Sequence, residues 1–258
     1  MHHSDPIHPS QSLLAEQICV IIPTYNHQQT VVQVAREVLR YASQVMVVVD
    51  GSTDQTRECL QEAALPIRVY SYPKNRGKGY ALKYGFLKAR ELGFKYALTL
   101  DSDGQHYPED IPLFQKSLES HPQALLVGCR NLQSENMPGK NTFANKFSNF
   151  WFRVQTGLPL SDTQCGFRLY PLEQLHGLNL LTYRYEAELE LLVFAAWRGV
   201  ELVPQPVRVY YQPEGERISH FRPGMDFLRI SVLNTLLCVG AVCYGWPMKL
   251  IRKLRRSV

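Results

Sequence analysis

The sequence predicts an α/β fold, a mostly parallel sheet covered by helices on both faces. Three observations carry that prediction. Short runs at residues 18–22, 45–49, 96–100 and 124–129 are almost continuously apolar, the pattern of strands buried on both faces. Segments with helical spacing separate them, and the joining loops are short. Acidic and glycine-rich stations (Asp50-Gly51-Ser52, Gly77-Lys78-Gly79, Asp101-Ser102-Asp103) follow strands or open a helix. In open α/β sheets the carboxyl edge of the strands is where ligands bind.

In chain order, residues 18–22 form the first strand, closed by Pro23, and Thr24-Tyr25-Asn26-His27 leaves its carboxyl end. Val31, Val34, Ala35, Val38 and Leu39 then recur at helical spacing. Residues 45–49 are the second strand, and Asp54 stands where it would cap the next helix. Residues 67–70 are the third strand. Asn75-Arg76-Gly77-Lys78-Gly79 leads into a helix carrying Ala81, Leu82, Gly85, Phe86 and Ala89. Residues 96–100 and 124–129 are the fourth and fifth strands. Residues 141–155 carry Phe143, Ala144, Phe147, Phe150, Trp151 and Val154 at helical spacing, which reads as a core-facing stripe; the alternative is one wall of an acceptor groove. A later helix holds Glu186, Glu188 and Glu190, with the first and last on one face, and glutamates so placed ordinarily form a solvated face. Residues 200–203 and 207–211 look like two closing strands.

The 258 residues, 45% hydrophobic and 20% charged, suffice for one large domain plus an appendage. A net charge of +5, from 28 basic and 23 acidic residues, is too mild to call for a nucleic-acid partner. The six cysteines form no C-x-x-C pair, so zinc and thioredoxin-like readings lack support, and a reducing compartment fits. Residues 1–17 are polar and rich in His and Pro, without the basic-then-apolar order of a signal peptide. They read as a flexible leader to a cytosolic domain.

Residues 96–105 are the chemical centre. An apolar run ends in Asp101 and Asp103, with Gly104 behind them. Paired carboxylates at a strand end suit a hard divalent ion, Mg2+ or Mn2+, shared with substrate phosphates. A solvated Asp-x-Asp-Gly turn is the plain alternative.

Five segments in order resemble family 2 glycosyltransferases: Pro23-Thr24-Tyr25-Asn26, Asp50-Gly51-Ser52-Thr53-Asp54, Asn75-Arg76-Gly77-Lys78-Gly79, Asp101-Ser102-Asp103-Gly104-Gln105 and Asp162-Thr163-Gln164-Cys165-Gly166-Phe167-Arg168. Their spacing, over about residues 18–213, is most similar to the dolichyl- or polyprenyl-phosphate sugar transferases, of the phosphate-glucosyltransferase or mannosyltransferase-like branch. The resemblance implies a GT-A fold, a Rossmann-like nucleotide half joined to an acceptor half. It implies that Asp50 recognises the base or ribose, that Pro23 and Tyr25 line that pocket, and that Lys78 lies near the nucleotide phosphates. It places Asp101, Asp103 and Gln105 on the metal and Arg130 on an acceptor phosphate. Val49 stands where many relatives carry a second acid.

When a sugar nucleotide reacts, its leaving diphosphate gains negative charge. A divalent ion neutralises that charge, and Lys78, Arg217 and Arg222 are the basic residues that would add to the effect. Inverting displacement by a hydroxyl acceptor needs a general base within reach; Asp162 and Glu188 are the candidates, with Glu186 next. A phosphate acceptor is already an anion and needs none, in which case the carboxylates orient the sugar.

Residues 217–224 are basic and aromatic, either a loop that closes over phosphate or a plain linker. Residues 230–248 carry no charge over nineteen positions, near the length of a bilayer span, and Lys249, Arg252, Lys253, Arg255 and Arg256 follow. A spanning helix would set this basic end outward, against the positive-inside rule. The expectation is therefore a peripheral or monotopic membrane-surface helix at the cytoplasmic face, its basic end on anionic lipid. A core-packed helix, or an interface in a homo-oligomer, is the alternative. The domains read as 1–17, 18–213 and 214–258. The function reads as transfer of a hexose from a nucleotide donor, UDP-linked before GDP-linked, to a lipid-borne acceptor. Polyprenyl phosphate comes first, and a hydroxyl of a glycolipid or cell-envelope glycan precursor second. The rivals are a catalytically silent nucleotide-sugar binding subunit and a nucleotidyltransferase, which would release pyrophosphate.

Overall fold

The computed structural model describes residues 14–130, 139–210 and 223–255. Its strands are β1 (Ile18–Thr24), β2 (Val45–Asp50), β3 (Arg68–Tyr72), β4 (Tyr96–Thr99), β5 (Leu125–Arg130), β6 (Arg168–Pro171) and β7 (Leu202–Val207). They form one sheet in the order β3-β2-β1-β4-β6-β5-β7. β6 runs antiparallel to both of its neighbours, and the other pairings are parallel. Ala15–Gln17 make one 3-10 turn into β1, and residues 1–13 of the expected leader lie outside the described residues.

Every residue of β1 and β2 is buried, because successive side chains enter opposite layers. Val20 and Ile22 join α1 (Val31–Val38), α2 (Thr56–Glu62) and α4 (Ile111–Ser120) on one face. Cys19 and Ile21 join α3 (Lys78–Glu91) on the other, which α5 (Gly139–Thr156) and α6 (Glu186–Arg198) extend. The α/β architecture expected from the sequence is the observed one. Asp54 accepts from the Thr56 N–H at the start of α2, at 3.0 Å.

Three readings change. β6 was not foreseen: its four residues begin with an arginine and end with a proline, so they show no apolar run. Of the two expected closing strands the first is β7, carrying Pro204 and Pro206, and an edge strand tolerates prolines, which cannot donate to a ladder; of the second, Val209 makes an isolated bridge to His106 and Tyr211 lies outside the described residues. In α5 the helical period is right and the phase is wrong. Asn145, Ser148, Phe152, Gln155 and Thr156 are buried, whereas Phe150 is 59% exposed and Phe147 and Trp151 are half-buried. Most of the polar inner face is paired: Asn145 donates to Asp162, Thr163 to Ser148, and Gln155 to Asn234, with Gln155 Oε1 and Asn234 Nδ2 left buried without a partner among the described residues.

α7 (Pro223–Gly240), a π-helical turn at Ala241–Gly245 and α8 (Trp246–Arg255) form one long helix. Pro247 lacks an N–H and its ring crowds the carbonyl four residues back, a recognised cause of such a bulge. Leu233, Leu237 and Ala241 are buried in the core they share with α6. Gly240 and Gly245 leave room for the Trp197 ring. Lys249 Nζ donates to the Thr156 and Gly157 carbonyls, both at 3.2 Å. The Arg252 guanidinium lies against Gly199, at the end of α6. These two cations therefore cap helix carboxyl ends, a correction to the expectation that the whole basic end faces lipid.

α3 meets α6 at Gly79, where an added Cβ would stand 2.2 Å from Ala187 Cβ and 3.0 Å from the Arg184 carbonyl oxygen. Backbone cannot yield as a flexible side chain does. Gly79→Ala is expected to cost about 2 kcal/mol and to lower Tm by roughly 4–8 °C in thermal denaturation. A Tm within about a degree of the parent would mean that α3 and α6 part freely.

Candidate active site

The parallel strands end at one edge of the sheet, and a cleft of about 900 Å³ opens there. Pro23 and Tyr25 reach it from β1, Asp50 from β2, Asp101, Asp103 and Gln105 from beyond β4, and Arg130 from β5. Lys78 enters from α3 and Glu188 from α6. β6 runs the opposite way, so the loop before it starts from this same edge. Thr163, Gln164, Cys165 and Gly166 thereby line the cleft as well. One topological exception brings the Asp162-to-Arg168 motif to the others.

The acidic centre is built around Lys78. Its ammonium lies 2.7 Å from Asp101 Oδ1 and 2.9 Å from Glu188 Oε2. Burial opposes that charge, but the two carboxylates outweigh it and hold the ammonium well above the usual lysine range. Burial likewise opposes the Asp101 carboxylate, yet Lys78, with His106 behind it, keeps that carboxyl below the ordinary range. Asp103 behaves oppositely: burial, then the charge of Asp101, pushes its carboxyl up. Gln105 N–H donates to Asp103 Oδ1 at 3.0 Å.

Whether these residues fit a divalent ion is decided by their charge. Lys78 is already divided between Asp101 and Glu188, so Asp103 adds negative charge that the site resists. An added cation would relieve that resistance. Among the described residues, no group of three or more His, Cys, Asp and Glu side chains forms a closed metal site. The aspartate pair suits an ion completed by oxygens of a bound diphosphate.

Arg130 and Asp162 form the second centre. Nε and Nη2 of Arg130 donate to the carboxylate at 2.6 and 3.0 Å, and the Arg130 N–H donates at 3.2 Å. Asn145 Nδ2 and Gln164 N–H donate to it at 2.5 and 3.0 Å. Asp162 is fully buried, and although burial opposes its charge, the hydrogen bond and charge of Arg130 keep its carboxyl below the ordinary range. An ionised, fully bonded and buried carboxylate has no free lone pair for a substrate proton. Asp162 holds Arg130 at the cleft wall; the expectation that it serves as a base does not match this placement.

Asp50 is wrapped by the next loop, accepting from Asn75 Nδ2 at 3.0 Å, Arg76 N–H at 2.7 Å and Gly77 N–H at 2.8 Å. It therefore shapes the Asn75-to-Gly77 wall besides lining the cleft. The α6 glutamates are not a solvated face. Glu190 accepts from Thr182 N–H at 2.9 Å and Glu186 is buried. Glu186 Oε2 and Glu188 Oε1 lie buried without a partner among the described residues, and both side chains line the cleft. Such acceptors suit the hydroxyl groups of a ligand.

Two contributors have roles that the sequence did not assign, Arg168 although it ends the fifth motif. Arg168 is wholly buried and donates to the carbonyls of Cys165, Thr163 and Glu188 at 2.7, 2.8 and 2.9 Å, tying the loop before β6 to α6. This seats Gly166 against the acidic centre, where an added Cβ would be 2.5 Å from Asp101 Oδ2. Arg184 also lines the cleft; it sits in an irregular stretch without a motif. Arg217 and Arg222 lie outside the described residues.

The model of the family "Glycosyl transferase family 2" matches residues 19–173. The UDP-N-acetylglucosamine–dolichyl-phosphate N-acetylglucosaminyltransferase of Methanococcus voltae is 27% identical over 215 residues, covering 75% of this chain and 86% of the relative. The dolichyl-phosphate beta-glucosyltransferase of Homo sapiens is 27% identical over 274 residues, covering 93% and 80%. Among solved structures, glucosyl-3-phosphoglycerate synthase from Mycobacterium tuberculosis in complex with Mn2+, UDP-glucose and phosphoglyceric acid aligns with a TM-score of 0.64 at 18% identity, covering 87% of this chain and 79% of that one. This last likeness is one of fold, and it agrees with the GT-A arrangement implied by the motifs.

Proposed function

The chain belongs to glycosyl transferase family 2, and from that premise we propose an inverting hexosyltransferase that moves a sugar from a UDP-linked donor to polyprenyl phosphate at the cytoplasmic face of a membrane. The observation that carries this reading is the division of one cleft into an acidic centre and a cationic one. Asp101, Asp103 and Gln105 would hold Mg2+ or Mn2+, which when bound neutralises charge on the departing diphosphate. Arg130, held by Asp162, offers a fixed guanidinium to the acceptor phosphate. The unpaired oxygens of Glu186 and Glu188 receive hexose hydroxyls. Asp50, Pro23 and Tyr25 form the wall for the nucleoside.

In the reaction an acceptor phosphate oxygen attacks the anomeric carbon from the face opposite the donor diphosphate. The carbon–oxygen bond to UDP breaks and its electron pair leaves with UDP. No proton moves, so no base is needed. This agrees with Asp162 being fully bonded and Glu188 being tied to Lys78. The two relatives, both named as dolichyl-phosphate transferases, favour this acceptor over a hydroxyl. Donor and lipid acceptor are the partners implied, with domain bounds of 18–213 for the catalytic unit and 214–258 for the tail.

Isothermal titration with UDP and GDP, each with and without Mn2+, tests the donor half. UDP is expected to bind at least about tenfold more tightly with Mn2+ and GDP to bind weakly in both cases. Metal-independent binding, or preference for GDP, overturns it. Release of UDP that depends on added polyprenyl phosphate tests the acceptor half.

A further inference from the structure

We propose that α5 belongs to the membrane-contacting surface: its aromatic outer side and the outer side of the α7–α8 helix form one face that rests in an anionic lipid bilayer. The polarity of α5 is inverted. A helix with water outside turns its polar residues outward, whereas α5 buries Asn145, Ser148, Gln155 and Thr156 and turns Phe147, Phe150 and Trp151 away from the core. The long helix continues the pattern. Leu228, Val232, Leu236, Val239, Val242 and Leu250 are each 54–60% exposed. Isolated exposed leucines need no explanation, but a contiguous apolar face of this kind marks an interaction surface. α5 and α7 share the core around α6 through Phe152, Leu233 and Leu237, and Gln155 bonds Asn234 between them at 2.9 Å. With their inner sides on α6, their outer sides look away from the sheet together.

Charge identifies the occupant. α5 carries Lys140, Lys146 and Arg153 and no acidic residue, and residues 223–258 carry six basic residues against Asp226 alone. Taking these nine basic and one acidic residues from totals of 28 and 23 leaves 19 basic and 22 acidic elsewhere. The chain is thus net negative outside these segments and net positive within them, even with Lys249 and Arg252 spent on helix ends. Such a face complements anionic headgroups, with the apolar residues entering the acyl boundary. A second copy would bring the same positive charge against it, which disfavours self-association. Leu228–Arg255 is also long and apolar enough to cross a membrane. Its inner stripe is committed to α6, however, and Lys249 and Arg252 pin its end to the domain. This favours lying in the interface. Ala144 of α5 and Ile230 of α7 line the cleft, so the cleft adjoins this face. On the acceptor reading proposed above, a lipid phosphate reaches Arg130 while its tail remains in the bilayer.

The test uses the full chain with phosphatidylcholine vesicles, with and without phosphatidylglycerol. Flotation should show binding that strengthens with the anionic lipid and weakens with salt. The double variant Phe150→Ser, Trp151→Ser should lose at least about tenfold in vesicle affinity while its Tm and its UDP titration match the parent. Brominated lipid should quench the parent more than Trp151→Phe. Unchanged affinity in the folded double variant, or equal quenching in the parent and Trp151→Phe, overturns the proposal. So does a lipid-free dimer that the double variant dissolves, which would assign the face to a second copy. Because vesicle binding and UDP binding are read separately, failure of this proposal leaves the donor assignment standing, and the reverse.

Discussion

Asp103→Asn is expected to lower sugar transfer by about a thousandfold or more, the scale of removing a principal electrostatic contact at a leaving group, while the protein stays folded. The fold should survive because of what surrounds Asp103. Burial and the neighbouring Asp101 charge hold the Asp103 carboxyl above its ordinary range, so its ionised form opposes folding. A raised carboxyl contributes most when protonated and loses stability as pH rises through its folded value. At neutral pH the neutral isostere removes the repulsion, and the variant should melt at or above the parent's Tm in metal-free buffer. Mn2+ should raise the parent's Tm and leave the variant's nearly unmoved. Transfer at parental rates by Asp103→Asn would remove Asp103 from the metal site. Loss of activity together with a lowered Tm would make it a structural residue.

The fold was legible where one physical rule governed a segment. Strands buried on both faces must be apolar throughout, so β1, β2 and β5 stood out. The same rule hid β6, whose Arg168 and Pro171 serve a loop cage and a strand end rather than a hydrophobic layer. Motifs told which residues converge, because parallel strands all end at one edge. They did not tell who pairs with whom. Lys78 lies on the carboxylates of the site, and Asp50 is spent partly on its own wall. In both cases the partner lies 23 or more positions away in sequence, beyond any local pattern. In α5, spacing gave the period and composition gave the wrong side. Apolar residues mark the core only when water is the alternative, and the bilayer contact proposed above would supply a different alternative for the outer side of α5.

Arg130 separates acceptor binding from fold stability, and the Arg130–Asp162 pair calls for two variants rather than one. Arg130→Lys keeps a cation beside the buried carboxylate and loses the planar two-pronged contact. It is expected to remain folded and to raise the acceptor KM at least about tenfold, with the donor KM within about twofold. Asp162→Asn removes the charge that Arg130, Asn145 and Gln164 all address, leaving donors facing an amide. Breaking a buried pair in this way costs about 3–5 kcal/mol, or roughly 6–20 °C in Tm. That loss should depend on pH in a stated direction. The folded carboxyl is depressed, so its contribution is complete above the unfolded value near ~3.9 and disappears as pH falls through the folded value. Thermal melts of parent and Asp162→Asn should therefore differ widely at neutral pH and converge on acidification. A gap that stays constant into strong acid would mean that shape, not charge, is what Asp162 contributes. Equal shifts of donor and acceptor KM in Arg130→Lys would mean that Arg130 organises the whole cleft instead of gripping the acceptor phosphate.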